Sequence, residues 1–113
     1  MFARNVTLHV KADKATEFTR KLETDVLPLL RRQAGFKDEL TFLATDRDEA
    51  VAISLWDRKE SAEAYSRETY PTVLQKLQGV VDGTPKVESF EVANSTFHKV
   101  GSQSPSMNQP VGR

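Results

Sequence analysis

The apolar residues of this chain switch between two spacings in a fixed order, and that order limits the fold more than any other feature. From Phe2 to Val10 the spacing is two: Phe2, Val6, Leu8 and Val10 share one face, and Ala3, Asn5, Thr7 and His9 share the other. Period two with β-branched residues predicts a strand. From Lys14 to Ala34 the spacing becomes three and four (Ala15, Phe18, Leu22, Val26, Leu29, Leu30), the pattern of an amphipathic helix. Asp13 is placed to cap that helix, and Gly35 stands where a C′ glycine ends one. Pro28 cannot donate to the carbonyl of Thr24, which predicts a kink, or a break with Pro28 opening a short second helix.

Two further strands are predicted at Phe36 to Thr45 and Ala50 to Trp56, joined through the polar turn Asp46-Arg47-Asp48-Glu49 as a hairpin. The acidic cluster in that turn lacks the twelve-residue loop with a glycine at its sixth position that calcium requires, so it reads as a solvated turn. Asp57-Arg58-Lys59-Glu60 has the form of a capping box and opens a helix through Ala62, Tyr65 and Arg67. Pro71 suits the first position of a second helical segment, with Val73, Leu74, Leu77, Val80 and Val81 as its apolar face. Asp82-Gly83-Thr84-Pro85 predicts a stop. A long fourth strand is expected from Lys86 to about His98.

The resulting order, β-α-β-β-α-β, is α+β: the ferredoxin-like split β-α-β arrangement. It predicts a four-stranded antiparallel sheet with the helices on one face, as a single domain over residues 1–100. Residues 101–113 hold two glycines, two prolines and three serines with almost nothing to bury, and are expected to form a disordered tail. The uncovered face of the sheet should carry Asn5, Thr7 and His9. Alternation along the third strand sets Ala52, Ser54 and Trp56 opposite Val51, Ile53 and Leu55, and the first set is expected on that open face. Trp56 and Phe90 are too large to leave in water, so the face should be covered. A second copy of the same sheet is the simplest cover, which makes the expected assembly a homodimer.

Composition removes several function classes. Lys plus Arg and Asp plus Glu both number 16, for a net charge of zero, and there is no basic stripe, so the chain lacks the charge of a nucleic-acid binder. No apolar run approaches the ~20 residues that span a bilayer, and the start is too short in apolar residues for a secretory signal, so a membrane partner is not expected and the cytoplasm is the expected location. Cysteine is absent, which excludes disulfides, thiol nucleophiles and thiolate metal sites. No GxGxxG, GxxxxGK[ST], GxSxG or HExxH occurs. No metal site and no cofactor is expected.

The ARNVTLHV strand, the AGF after the first helix and the run AVAISLWDRKESAEAYSRETYP together resemble the antibiotic biosynthesis monooxygenase-like domains of the dimeric α+β barrel superfamily, over roughly residues 2–98. The resemblance implies two face-to-face sheets enclosing a cavity in each subunit. Some members oxygenate aromatic polyketides or quinols without metal or flavin, some relatives bind and degrade haem, and many have no known activity. The haem-degrading branch is similar around a strand-one asparagine, here Asn5. It carries tryptophan where Tyr65 stands and an axial histidine where this chain has Gln75, a poor iron ligand, which disfavours haem chemistry. The quinol-oxygenating members are similar around Trp56 and the second helix, but carry histidines where this chain has Tyr65 and, nearby, Tyr70.

The expected catalytic residues are Asn5, His9 and Tyr65. Asn5 and Tyr65 would donate to a developing oxyanion, and the His9 imidazole would act as general base and remove the proton of a phenol. Trp56, Tyr70 and Thr7 would contact the substrate, Trp56 by stacking. The function these residues suggest is cofactor-independent oxygenation of a small phenol- or quinol-like molecule between the sheets of a homodimer. The alternative is a protein of the same fold that binds a small apolar molecule without chemistry.

Overall fold

The computed structural model of the chain describes residues 1–100, so the expected tail at 101–113 lies outside the described residues. The elements run β1 (Phe2–Val10), α1 (Ala15–Lys21), a π-helical segment (Leu22–Val26), α2 (Leu27–Arg31), β2 (Phe36–Ala44), β3 (Glu49–Trp56), α3 (Lys59–Glu68), α4 (Tyr70–Lys76) and β4 (Val81–Glu91). The strands form one antiparallel sheet in the order β2-β3-β1-β4. This is the α+β, ferredoxin-like arrangement that the order of periods predicts.

The core lies between the sheet and the helices. Val6, Leu8 and Val10 of β1 are buried with Phe18, Leu22, Val26 and Leu30 of the first helical unit and with Ala62, Tyr65, Val73 and Leu77 of the second. The difficulty at Pro28 is resolved by a wide turn. The Leu27 N–H donates to the Leu22 carbonyl, five residues back, and α2 then starts with Pro28 in its first turn, where a missing donor costs nothing.

Register decides which side of β3 is inside. Phe2, Arg4, Val6 and Leu8 pair with Trp56, Ser54, Ala52 and Ala50. Directly opposed residues share a face, so the even-numbered set of β3 lies beneath the helices and Val51, Ile53 and Leu55 lie on the open face. The expectation for Trp56 is therefore corrected: it is fully buried under the helices, edge-on to Phe36 (5.6 Å between ring centroids) and against Tyr65 (5.0 Å). Its indole N–H donates to the Ser54 hydroxyl at 2.9 Å. Both faces of AVAISLW are apolar, so side-chain type alone cannot choose between them; pairing with β1 does.

A register shift between Phe36 and Asp38 has a similar effect in β2. Phe36 packs inward on Trp56, whereas beyond the irregularity Leu40 and Phe42 pair with Ile53 and Val51 on the open face. Leu40 and Phe42 are 48% and 53% exposed, and Phe90 on β4 is 51% exposed. With Val51, Ile53 and Leu55 they give the open face an apolar band.

Three local expectations are corrected. Asp82-Gly83-Thr84-Pro85 does not stop the chain: β4 starts at Val81, and the stretch forms an irregularity in the ladder, where the register jumps from His9↔Asp82 to Thr7↔Lys86. Gly83 takes φ +69° there, a conformation open to glycine. The strand ends at Glu91, short of His98, although the Val92 N–H still donates to the Met1 carbonyl at 2.9 Å. Neither helix start uses the expected side-chain cap. Lys14 and Arg58 occupy the cap positions without side-chain bonds, Asp13 adopts a left-handed φ of 65°, and the Asp57 carboxylate accepts the Ser61 hydroxyl at 2.6 Å.

Candidate active site

Small residues leave room beneath the helices. Ala52 and Ser54 face α3 and α4 across a gap that Leu or Ile at those positions would fill. The cavity there is small, ≈ 40 Å³, room for a few water molecules, and opens to the surface. Its floor is Arg4, Val6, Leu8, Ala52 and Ser54, and its roof is Tyr65, Tyr70, Val73, Leu74 and Leu77. Leu22 and Val26 of the π-helical segment form one wall, and Glu39 of β2 closes another side. Wide turns of this kind widen a helix locally and occur often beside functional sites.

The lining is apolar except for a few groups, and these converge. Arg4 is only 5% exposed, although arginine is rarely buried without a partner. Its guanidinium lies over the Tyr70 ring at 4.0 Å from the centroid and near the Tyr65 ring at 5.4 Å, and Nη2 donates to the Ser66 hydroxyl at 3.3 Å. It forms no salt bridge among the described residues. A desolvated cation–π contact contributes about 2 kcal/mol, whereas removing a cation from water costs several kcal/mol. The two rings therefore offset only part of the cost of burying Arg4.

The Tyr65 ring sits between Trp56 and the Tyr70 ring, whose centroid is 6.1 Å away. Burial pushes the Tyr65 hydroxyl up to about 12, against the opposing charge of Arg4. Burial also raises Tyr70, again opposed by Arg4. The Tyr70 hydroxyl is buried; Arg4 acts on it as a donor, and no acceptor among the described residues takes its proton. Glu39 is half-buried, and desolvation raises its carboxyl above the usual carboxylate value, although a 2.6 Å bond from the Thr41 hydroxyl works the other way.

The six residues singled out in the sequence fall into two groups on opposite faces of the sheet. Trp56, Tyr65 and Tyr70 lie together under the helices, Tyr65 and Tyr70 lining the cavity and Trp56 packing behind Tyr65. Asn5, Thr7 and His9 alternate onto the open face. His9 is exposed at the end of β1, its Nδ1 3.5 Å from an Asp82 carboxylate oxygen. The Asn5 side-chain oxygen is buried without a partner among the described residues. The pairing of Asn5 and His9 with Tyr65 in one site is thus not what the fold assembles. Gln75 points to solvent on α4, and among the described residues no cluster of His, Asp and Glu could hold a metal ion.

Arg4 and Glu39 are the cavity residues that pattern reading missed. The signal for Arg4 was present: it is the one charged residue on the apolar face of β1, in line with Val6, Leu8 and Val10. Glu39 carried no such signal, because the irregularity near Phe36 sets the phase of β2.

No protein-family model matches the chain, and no curated protein matches it. Solved structures do. A Streptomyces coelicolor monooxygenase from the gene ActVA-Orf6, in complex with nanaomycin D, is 16% identical with a TM-score of 0.70, covering 87% of this chain and 92% of that one. A point mutant of SnoaB, a cofactor-independent oxygenase from Streptomyces nogalater, is 17% identical with a TM-score of 0.67, covering 86% and 97%. An antibiotic biosynthesis monooxygenase candidate from Nitrosomonas europaea is 17% identical with a TM-score of 0.68, covering 83% and 100%. The chain has the fold of antibiotic biosynthesis monooxygenase-like proteins. At this identity the likeness establishes the fold, and several of the proteins that share it are named monooxygenases.

Proposed function

We propose that the protein is a cofactor-independent monooxygenase acting on a small phenol- or quinol-like aromatic. The observation that carries this reading is the cavity beneath α3 and α4, whose apolar walls bring one guanidinium, two phenols and one carboxyl to a single space. The site lies on the helix side of the sheet, not between the sheets of two subunits. Glu39, with its raised carboxyl, replaces His9 as the proton acceptor. Transfer of the phenol proton to Glu39 leaves an electron-rich phenolate that can reduce dioxygen. One oxygen atom then bonds to a ring carbon and the other leaves as water with the two hydrogens the ring system loses, so that phenol and O2 yield quinone and water. The apolar lining limits the contact of the intermediate with bulk solvent. Tyr65, neutral at any physiological pH, serves as a donor to the developing oxyanion.

The open face carries Leu40, Phe42 and Phe90 into solvent, and a second copy of the chain covers it in this reading. Asn5, Thr7 and His9 then belong to that interface, not to the chemistry.

The test is oxygen consumption with naphthols, hydroquinones and anthrone, followed by mass spectrometry of products formed under 18O2. Label in a quinone product at rates well above the protein-free control supports the proposal. Unchanged oxygen uptake across the panel refutes it. The second reading, a binding protein without turnover, is favoured by the absence of histidine from the cavity lining. It predicts saturable binding of the same compounds with no labelled product.

A further inference from the structure

The burial of Arg4 is only partly compensated by its neighbours, and the lining of the cavity shows what is missing. The guanidinium has five N–H donors. Among the described residues the Ser66 hydroxyl takes a hydrogen bond from it, the Tyr70 hydroxyl lies close enough to feel a second, and the rest of its contact is with the faces of Tyr70 and Tyr65. No carboxylate among the described residues bridges to it. Glu39 lines the same cavity without forming a salt bridge to Arg4. Near the guanidinium, the Tyr70 hydroxyl is buried, Arg4 is the one described residue that acts on it as a hydrogen-bond donor, and no described residue accepts its proton. Buried polar groups are almost always satisfied, so two under-satisfied donors on one cavity point to an acceptor that belongs there. An oxygen anion would meet both needs, and a planar delocalised oxyanion suits the fork of an arginine best. Around it the lining is aliphatic and aromatic, which suits a ligand whose remainder is apolar, and the ≈ 40 Å³ space has to widen by side-chain movement to admit an aromatic ring.

We propose that Arg4 is the counter-ion for an oxyanion on the apolar ligand of this cavity, so that the site selects the deprotonated form of a phenol over the neutral one. The inference rests on the cavity being the ligand site, as read above, but not on any reaction occurring there. The charge balance is simple. A phenol that loses its proton to Glu39 leaves Glu39 neutral and places a phenolate beside Arg4. The ionisable groups facing this space are Arg4, Glu39, Tyr65 and Tyr70, and the two tyrosines stay neutral through the physiological range.

The probes are 4-nitrophenol, which is coloured as the phenolate, 4-nitroanisole, its uncharged analogue, and 4-nitrobenzoate, a carboxylate of similar outline. Binding is measured by equilibrium dialysis and the phenolate band by absorbance, between pH 5 and 9. Wild type is expected to bind the phenolate at least tenfold more tightly than 4-nitroanisole. The apparent pKa of bound 4-nitrophenol should fall by about one unit, the same tenfold in proton affinity. Arg4→Met should abolish both effects, and Arg4→Lys, which keeps the charge and loses the fork, should retain part of them. The wild-type comparison does not depend on whether Arg4→Met folds. Tight binding of 4-nitrobenzoate without 4-nitrophenol would keep the counter-ion role while removing the phenol reading. Arg4-dependent phenolate binding without oxygen uptake would keep the role while removing the oxygenase. Equal affinity for the phenolate and 4-nitroanisole, or no binding of any probe, would overturn the inference.

Discussion

Replacing Trp56 by alanine measures which face of the sheet is inside. Trp56 is fully buried, and a tryptophan buries roughly 200 Å². At about 25 cal/mol per Å² that is about 5 kcal/mol. The indole N–H bond to Ser54 adds about 1 kcal/mol, and relief of side-chain entropy returns about as much. Loss of the contacts with Phe36 and Tyr65 keeps the cost in the range of about 3–5 kcal/mol seen for large aromatic truncations. For a domain of this size 1 kcal/mol moves Tm by about 4–8 °C, so W56A should melt at least about 12 °C below wild type. Phe90→Ala is the control. Phe90 is half exposed on the open face, so its truncation should cost about 2 kcal/mol or less in the isolated subunit. Circular dichroism melts of the three proteins at low concentration make the comparison. If W56A and F90A lose similar stability, Trp56 is not beneath the helices and the register argument built on β1–β3 pairing is wrong.

The remaining predictions bear on other parts of the structure. The chain has two tyrosines, and burial raises both hydroxyls, Tyr65 to about 12. Because the folded state holds these protons more tightly than the unfolded chain, stability should be full below pH 10 and fall as pH rises toward 12. An ultraviolet titration at 295 nm should show tyrosinate appearing later in native than in urea-unfolded protein, and coincident curves would refute the burial. Phe42→Asp combined with Phe90→Asp should turn a sedimenting dimer into a monomer that melts with a similar cooperative transition; a monomeric wild type would refute the proposed interface. Gly35 holds φ +81° with the Asp57 carboxylate and the Ser61 side chain where a Cβ would project. Gly35→Ala should therefore cost about 1–3 kcal/mol in urea denaturation, and a neutral result would mean that this turn relaxes freely.

Much of the fold was legible from spacing because spacing records a local need: a strand with one buried face alternates, and a helix with one buried stripe repeats at 3.6. The order β-α-β-β-α-β and the interruption at Pro28 follow from residues acting on their immediate neighbours, whereas the helix stops at Arg31, short of Gly35, which takes its positive φ in the turn before β2. The tyrosines were also recoverable, since Tyr65 and Tyr70 sit on a helix face that has to meet the sheet.

What the chain order could not decide is which of two apolar faces meets the helices, because that depends on partners distant in sequence. Trp56 is inside because it pairs with Phe2, and Phe42 is outside because an irregular residue near Phe36 shifts the phase of β2. A strand has only two sides, so each such choice moves every side chain at once. The cavity is a tertiary product in the same sense. Arg4 lies far along the chain from the tyrosines that stack on it, and only folding brings one cation, two phenols and a carboxyl around the space left by Ala52 and Ser54.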